Sequence, residues 1–231
     1  MREFVGTMPA RIEALPRDHR GFPVPWFVAW QDGKPLFPVL DPEKMRQALR
    51  HEKCWVCGQR LGAYKAFVIG PMCCVNRVTA EPPCHLECAQ FAVLNCPFMA
   101  SPLTKRTTTD DGTYKGQPID KPAGMMIDRN PGVSCIWITK SFQIENHGGK
   151  PLWRIGPPHK VSFWARSRVA TRAEVEHSVV TGLPILRKVA ALDGPAGMKA
   201  LDRQIGTFWE LVDEVELPDI DLPGLMQEAV P

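Results

Sequence analysis

The stretches Cys54-Trp55-Val56-Cys57-Gly58 and Pro82-Pro83-Cys84-His85-Leu86-Glu87-Cys88 decide how this chain folds. Two cysteines spaced Cys-x-x-Cys lie on one tight turn whose backbone amides point at sulfur, and the following glycine permits the turn's conformation. His85 and Cys88 stand three residues apart, in the first turn of a helix predicted to start at Pro82-Pro83, so they share one face. The spacing predicts that Cys54, Cys57, His85 and Cys88 hold one structural Zn2+. Four protein ligands close such a site and leave no position for a reactive water.

The remaining thiols are weighed by geometry. Cys84 is one helical turn from Cys88 and competes with His85 for the ligand position. Cys73 and Cys74, in the intervening loop, could replace either. Cys96 is eight residues past Cys88, about 12 Å along a helix rising 1.5 Å per residue, which is too far for a shared tetrahedral ion. Cys135 reads as a small core residue. No standard iron–sulfur spacing is present. A cysteine knuckle, the strand-like run Ala-Phe-Val-Ile-Gly at 66–70 and a helix start that supplies the second ligand pair resemble a treble-clef zinc site. The Cys-x2-Cys and His-x2-Cys pairs also resemble the first half of a LIM module.

Eight cysteines in 231 residues are too few for a disulfide scaffold. The opening residues MREFVGTMPARIEALP hold no apolar stretch of signal-peptide length, and the longest apolar run, AFVIGPMCCV, is about half a membrane span. The expectation is a cytoplasmic protein without a membrane partner, in a compartment where clustered cysteines mean metal chemistry. Proline, at 23 residues, is about twice its usual share of roughly 5% and predicts short elements. Net charge is +3, unevenly spread: residues 101–170 carry 11 basic against 5 acidic side chains, and residues 171–231 carry 5 against 11. Either the two segments neutralise each other within the fold, or the first offers a basic surface to a polyanion.

Local signals predict an α+β protein. The apolar runs at 25–30 and 35–40 flank Asp32-Gly33, a tight-hairpin signal. Asp41 and Pro42 open a short helix to about His51 as N-cap and first residue. These elements and the zinc unit fill residues 1–100. A polar connection, read as a loop or linker, spans 101–132. A second sheet-plus-helix unit is expected over 133–217, with antiparallel strands at 133–142, 151–155 and 160–167, the first two facing each other across Asn146-His147-Gly148-Gly149, followed by two or three helices. A capping box at Thr171–Glu174 starts a helix to about 181, with a break at Gly182-Leu183-Pro184 and a further turn or two to Leu192. The last helix covers about 196–214, with Leu201, Ile205, Phe208 and Val212 on its apolar face. A loosely held tail is expected over 218–231.

Arg77, Lys160, Arg166, Arg168 and Arg172 are the candidate polyanion-binding residues. Trp153, Phe163 and Trp164 lie near the last four in sequence, and alternation puts Lys160, Ser162 and Trp164 on one strand face. The same residues also describe a sheet edge blunted by charge. Glu174 and His177 have the E-x-x-H spacing of di-iron sites, but the required second motif is missing and Glu174 serves the capping box. Walker, dinucleotide-binding, nucleophile-elbow and HExxH motifs are all absent from the sequence.

The run CWVCGQRLG…AFVIGPMCCVNR…EPPCHLECA…CPF resembles uncharacterised small zinc-type proteins encoded by bacteriophages and integrated elements. That resemblance implies an accessory or host-interaction role. The expected function is a zinc-stabilised binding protein that contacts a protein partner first, with nucleic acid as the alternative. A second reading is an enzyme of unfamiliar type acting on a nucleotide or nucleic acid, between Asn76, Arg77 and Glu81 on one side and Arg166 and Arg168 on the other.

Overall fold

A computed structural model describes residues 3–101, 112–119, 123 and 130–219. After the single turn α1 (Ala10–Glu13), strands β1 (Val28–Gln31) and β2 (Lys34–Leu40) form the first hairpin. Its two-residue turn places Asp32 and Gly33 at φ 48° and 71°, the left-handed pair that matches the twist of the flanking strands. Helix α2 (Pro42–His51) starts as its sequence dictates: the Asp41 carboxylate accepts from the amides of Glu43 and Lys44 at 3.0 and 3.3 Å. It ends at Glu52, in the left-handed conformation.

Then come β3 (Lys65–Ile69), α3 (Pro71–Asn76), β4 (Val78–Thr79), α4 (Leu86–Asn95) and α5 (Pro97–Ala100). A small hairpin, β5 (Thr113–Tyr114) and β6 (Gln117–Pro118), is the described part of the connection predicted at 101–132 that carries regular structure. The rest of that connection lies largely outside the described residues, as does the predicted tail beyond residue 219. The chain continues through β7 (Ser134–Thr139), β8 (Phe142–His147), β9 (Lys150–Ile155), β10 (Lys160–Ala165), β11 (Arg168–Val169), α6 (Arg172–Leu192) and α7 (Gly194–Asp213). The protein is therefore α+β, with several small sheets. No helix among the described residues is long and apolar enough to cross a membrane.

The central sheet has the order β11-β10-β7-β3, and β7 pairs antiparallel with both neighbours. The cysteine-rich segment and the segment after 133, read apart in the sequence, thus share one sheet. Alternation along its strands feeds two cores. Phe67, Cys135, Trp137, Val161 and Phe163 pack with Val175, Val179, Leu201, Phe208 and Val212 of α6 and α7. Ala66, Ile136 and Ile138 face the other way, onto Cys54, Cys88, Ala89 and Phe91. Helices cover both faces, and five of the six residues of β7 are buried.

Three expectations need correction. The strand facing β9 is β8, not the run 133–142, which stops at Thr139. The Gly148-Gly149 turn joins adjacent strands, so β9 must pair with the residues immediately before the turn, while β7 already has partners on both edges. No break interrupts α6 at Pro184. Proline removes one amide and crowds the carbonyl four residues back, but that residue, Val180, is exposed and water can satisfy it. Gly182 instead serves packing, since a Cβ there would lie 2.7 Å from the Met72 side chain of α3. Finally, α4 begins at Leu86 rather than at Pro82. Residues before it are held extended because Cys84 and Ala66 exchange both backbone hydrogen bonds, at 2.8 and 2.9 Å.

Candidate metal centre

The knuckle is built by its own backbone. The Cys54 amide donates to the Gln59 carbonyl at 2.7 Å and the Gly58 amide to the Cys54 carbonyl at 2.8 Å, closing the turn. Gly58 sits at φ 74°, and a Cβ there would lie 2.6 Å from the Trp26 ring. Only glycine meets both demands. The first hairpin joins the knuckle at this point: the Trp26 amide donates to the Val56 carbonyl at 2.7 Å, and Phe27 stacks on Trp55 at 4.7 Å.

Across from the knuckle, His85 is the N-cap of α4 and Cys88 lies in its first turn. The Cys84–Ala66 pairing sets the alternation of this segment. Cys84 packs beside the knuckle but donates its thiol to the Ala66 carbonyl at 3.2 Å and stays outside the group of converging donors, which His85 enters. The ligand atoms of Cys54, Cys57, His85 and Cys88 all lie within 4.8 Å of one another. His85 Nδ1 is 3.4 Å from Cys57 Sγ and 3.9 Å from Cys88 Sγ. A tetrahedral ion bound at about 2.3 Å to sulfur and about 2.0–2.1 Å to nitrogen spaces its ligands by about 3.5–3.8 Å. The cluster can therefore hold one metal ion.

The surroundings suit anionic sulfur. Amides of Cys57 and His85 donate to Cys54 Sγ at 3.5 and 3.4 Å. His85 Nε2 lies 3.0 Å from the Arg60 carbonyl oxygen, which can only accept. That nitrogen must carry the proton, so the Nδ1 lone pair faces the thiols. Hydrogen bonds from Cys54 and then Cys88 hold the Cys57 thiol well below its ordinary value of 9.0. The same sharing pushes Cys54 and Cys88 up, as expected for three sulfurs competing for protons, and a bound cation reverses that push.

The other cysteines stay apart from this group. Cys73 and Cys74 are in α3 and Cys96 caps the end of α4. Burial pushes the thiols of Cys74, Cys84 and Cys96 up, which keeps them protonated, and Cys74 lies against Cys135 in the core. They act as small apolar fillers.

Three of the candidate polyanion residues, Arg166, Arg168 and Arg172, have acidic partners. Arg168 grips Glu174 through two bonds of 2.8 Å, and Arg166 lies 3.9 Å from the same carboxylate. Arg172 bonds Glu176 at 2.9 Å and Asp213 at 2.6 Å and covers the Trp209 ring. The contacts of Arg166 and Arg168 with Glu174 join the basic middle to the acidic end of the chain, whereas those of Arg172 lie within that end. Glu174 also completes its capping box, bonding the Thr171 amide at 2.8 Å. Arg77 closes α3 in the left-handed conformation, its carbonyl accepting from Ile155. The Asn76 carboxamide is used locally, by the Val78 amide at 2.9 Å. Lys160 stands exposed at the start of β10, with no salt bridge among the described residues.

Sequence reasoning missed one exposed group. Tyr64, Lys140 and His159 come together beside Lys160: Lys140 Nζ lies 5.0 Å from the Tyr64 ring centroid and the His159 ring 4.8 Å from it. No local motif announces them, because they come from three strand ends far apart in sequence. Set against protein-family models, curated proteins and solved structures, the chain matches none.

Proposed function

We propose that this is a zinc-stabilised binding protein, in which a structural Zn2+ at Cys54, Cys57, His85 and Cys88 fixes a surface for a partner macromolecule. One observation carries the reading: four donors converge within 4.8 Å while the second nitrogen of His85 is committed to Arg60. Such a set fills a tetrahedral ion with protein atoms and locks the ligand tautomer, which suits a staple rather than a reaction centre. Zinc is favoured over iron because three thiolates and an imidazole in a knuckle–helix frame form a standard structural zinc set. The eight free cysteines fit a reducing, cytoplasmic setting.

The resemblance of the cysteine-rich run to phage and mobile-element proteins supports an accessory role in contact with host components. The test is co-purification from the native host with wild-type protein and with a Cys54→Ser/Cys57→Ser variant, metal being measured on both. Zinc and a partner recovered with wild type and absent together from the variant support the proposal. A partner held equally well by the metal-free variant overturns it.

A further inference from the structure

The sheet order β10-β7-β3 brings three strand ends together: the start of β10, the end of β7 and the start of β3. The register fixes the neighbours, with Lys160 opposite Ile138 and Lys65 opposite Thr139. His159, Lys160, Lys140, Lys65 and Tyr64 therefore line one end of the sheet. Two strand spacings make that end about 10 Å across. Lys65 is paired with Glu52 at 3.5 Å. Lys140 and Lys160 are exposed and make no salt bridge among the described residues. Tyr64 is 43% exposed, with Lys140 Nζ over its ring and the His159 ring beside it, so a base stacking there exchanges places with one of the two.

The platform is held rigidly. The buried Thr139 hydroxyl donates to the Pro157 carbonyl at 2.8 Å and accepts from the Ser141 amide at 3.3 Å. The Gly156 amide donates to the Ser141 carbonyl at 3.0 Å, and a Cβ on Gly156 would lie 2.5 Å from that oxygen. These bonds tie the turn carrying Lys140 to the loop carrying His159, so ordering costs little when a ligand binds. The knuckle loop, anchored through the Arg60 carbonyl to His85, leads directly into Tyr64.

We propose that this end of the sheet binds single-stranded nucleic acid. A base stacks on Tyr64, and Lys140 and Lys160, with His159 beside them, contact the flanking phosphates. An exposed ring among unneutralised cations is the pattern that gives sequence-tolerant binding of single strands, through stacking and phosphate contacts together. A duplex would present stacked bases that the ring cannot reach. The proposal rests on the reading of the chain as a binding protein and names the partner's chemistry; it does not use the arginines paired with Glu174, Glu176 and Asp213.

The test is fluorescence anisotropy of labelled oligo(dT) with the full chain, at about 50 and about 200 mM salt. Metal content and far-ultraviolet circular dichroism are measured on the same samples. Wild type should bind at low salt and weaken at high salt. Tyr64→Ala should weaken binding about fivefold or more, and Tyr64→Phe should retain it. Lys140→Glu/Lys160→Glu should flatten the slope of log affinity against log salt by about 1.4, at about 0.7 for each phosphate no longer neutralised. Folded, metal-loaded protein that ignores oligo(dT), binds duplex equally tightly, or is indifferent to Tyr64→Ala overturns the proposal. Oligonucleotide binding by a folded protein without metal would sink the zinc reading and leave this one standing.

Discussion

His85 Nε2 lies 3.0 Å from the carbonyl oxygen of Arg60, and that single bond turns Nδ1 toward the sulfurs of Cys57 and Cys88. The knuckle thus supplies two ligands and also orients a third, so the site forms only when the knuckle and the start of α4 are both in place. A metal ion held by this cluster would therefore be coupled to the folding of the unit.

Metal retention separates Cys84 from His85. Cys84 donates to the Ala66 carbonyl and is not among the four converging donors. Cys84→Ala should retain stoichiometric metal and cost about 1 kcal/mol in denaturant unfolding. His85→Ala should lose the metal or hold it far more weakly. The reverse pattern would make Cys84 the ligand.

Gly58→Ala combines an unfavourable positive φ with a clash against Trp26. Strained left-handed backbone and overpacking cost about 1–3 kcal/mol each. The variant should be destabilised by at least about 2 kcal/mol, and its metal should yield to a weaker chelator than wild type requires. Denaturant unfolding checks the first expectation and competition with a colorimetric chelator the second.

Much of this design can be read locally. Asp41-Pro42 specifies the start of α2, Thr171 and Glu174 specify the start of α6, and Asp32-Gly33 specifies the first turn, because each signal acts within four residues. The ligand set is legible for the same reason, since knuckle and helix start are short motifs. What the sequence conceals depends on distant partners. Cys84 and His85 are rivals until the Cys84 thiol is seen bonded to the Ala66 carbonyl, outside the donor group. Pro184 looks like a helix stop unless the exposure of Val180 is known. Arg172 looks like a free cation until Asp213, 41 residues away, is seen against it.

Acid should act on Glu174. Burial opposes its ionisation, but hydrogen bonds from Arg168 and the Thr171 amide outweigh that and hold its carboxyl below the ordinary 4.5. A carboxyl lowered in the folded state adds stability above its unfolded value, and that contribution fades as pH falls through the folded value. The stability gap between wild type and Glu174→Gln should thus be full at pH 7 and shrink below about pH 4.5. A gap independent of pH between neutrality and acid would contradict the assignment.

The paired arginines should matter for folding and not for nucleic acid. Arg172→Ala removes bonds to Glu176 and Asp213 at the surface, so a loss of about 0.5–1 kcal/mol is expected. Its affinity for oligo(dT) should stay within about twofold of wild type, since its charge is already neutralised. A large affinity loss with unchanged stability would return the arginines to the binding surface.

The most direct test of the account is metal analysis by native mass spectrometry of protein purified without added zinc. One zinc per chain in wild type, and none in Cys54→Ser/Cys57→Ser, is the predicted result. A folded wild-type protein carrying no metal, or a double variant that keeps its zinc, would contradict it.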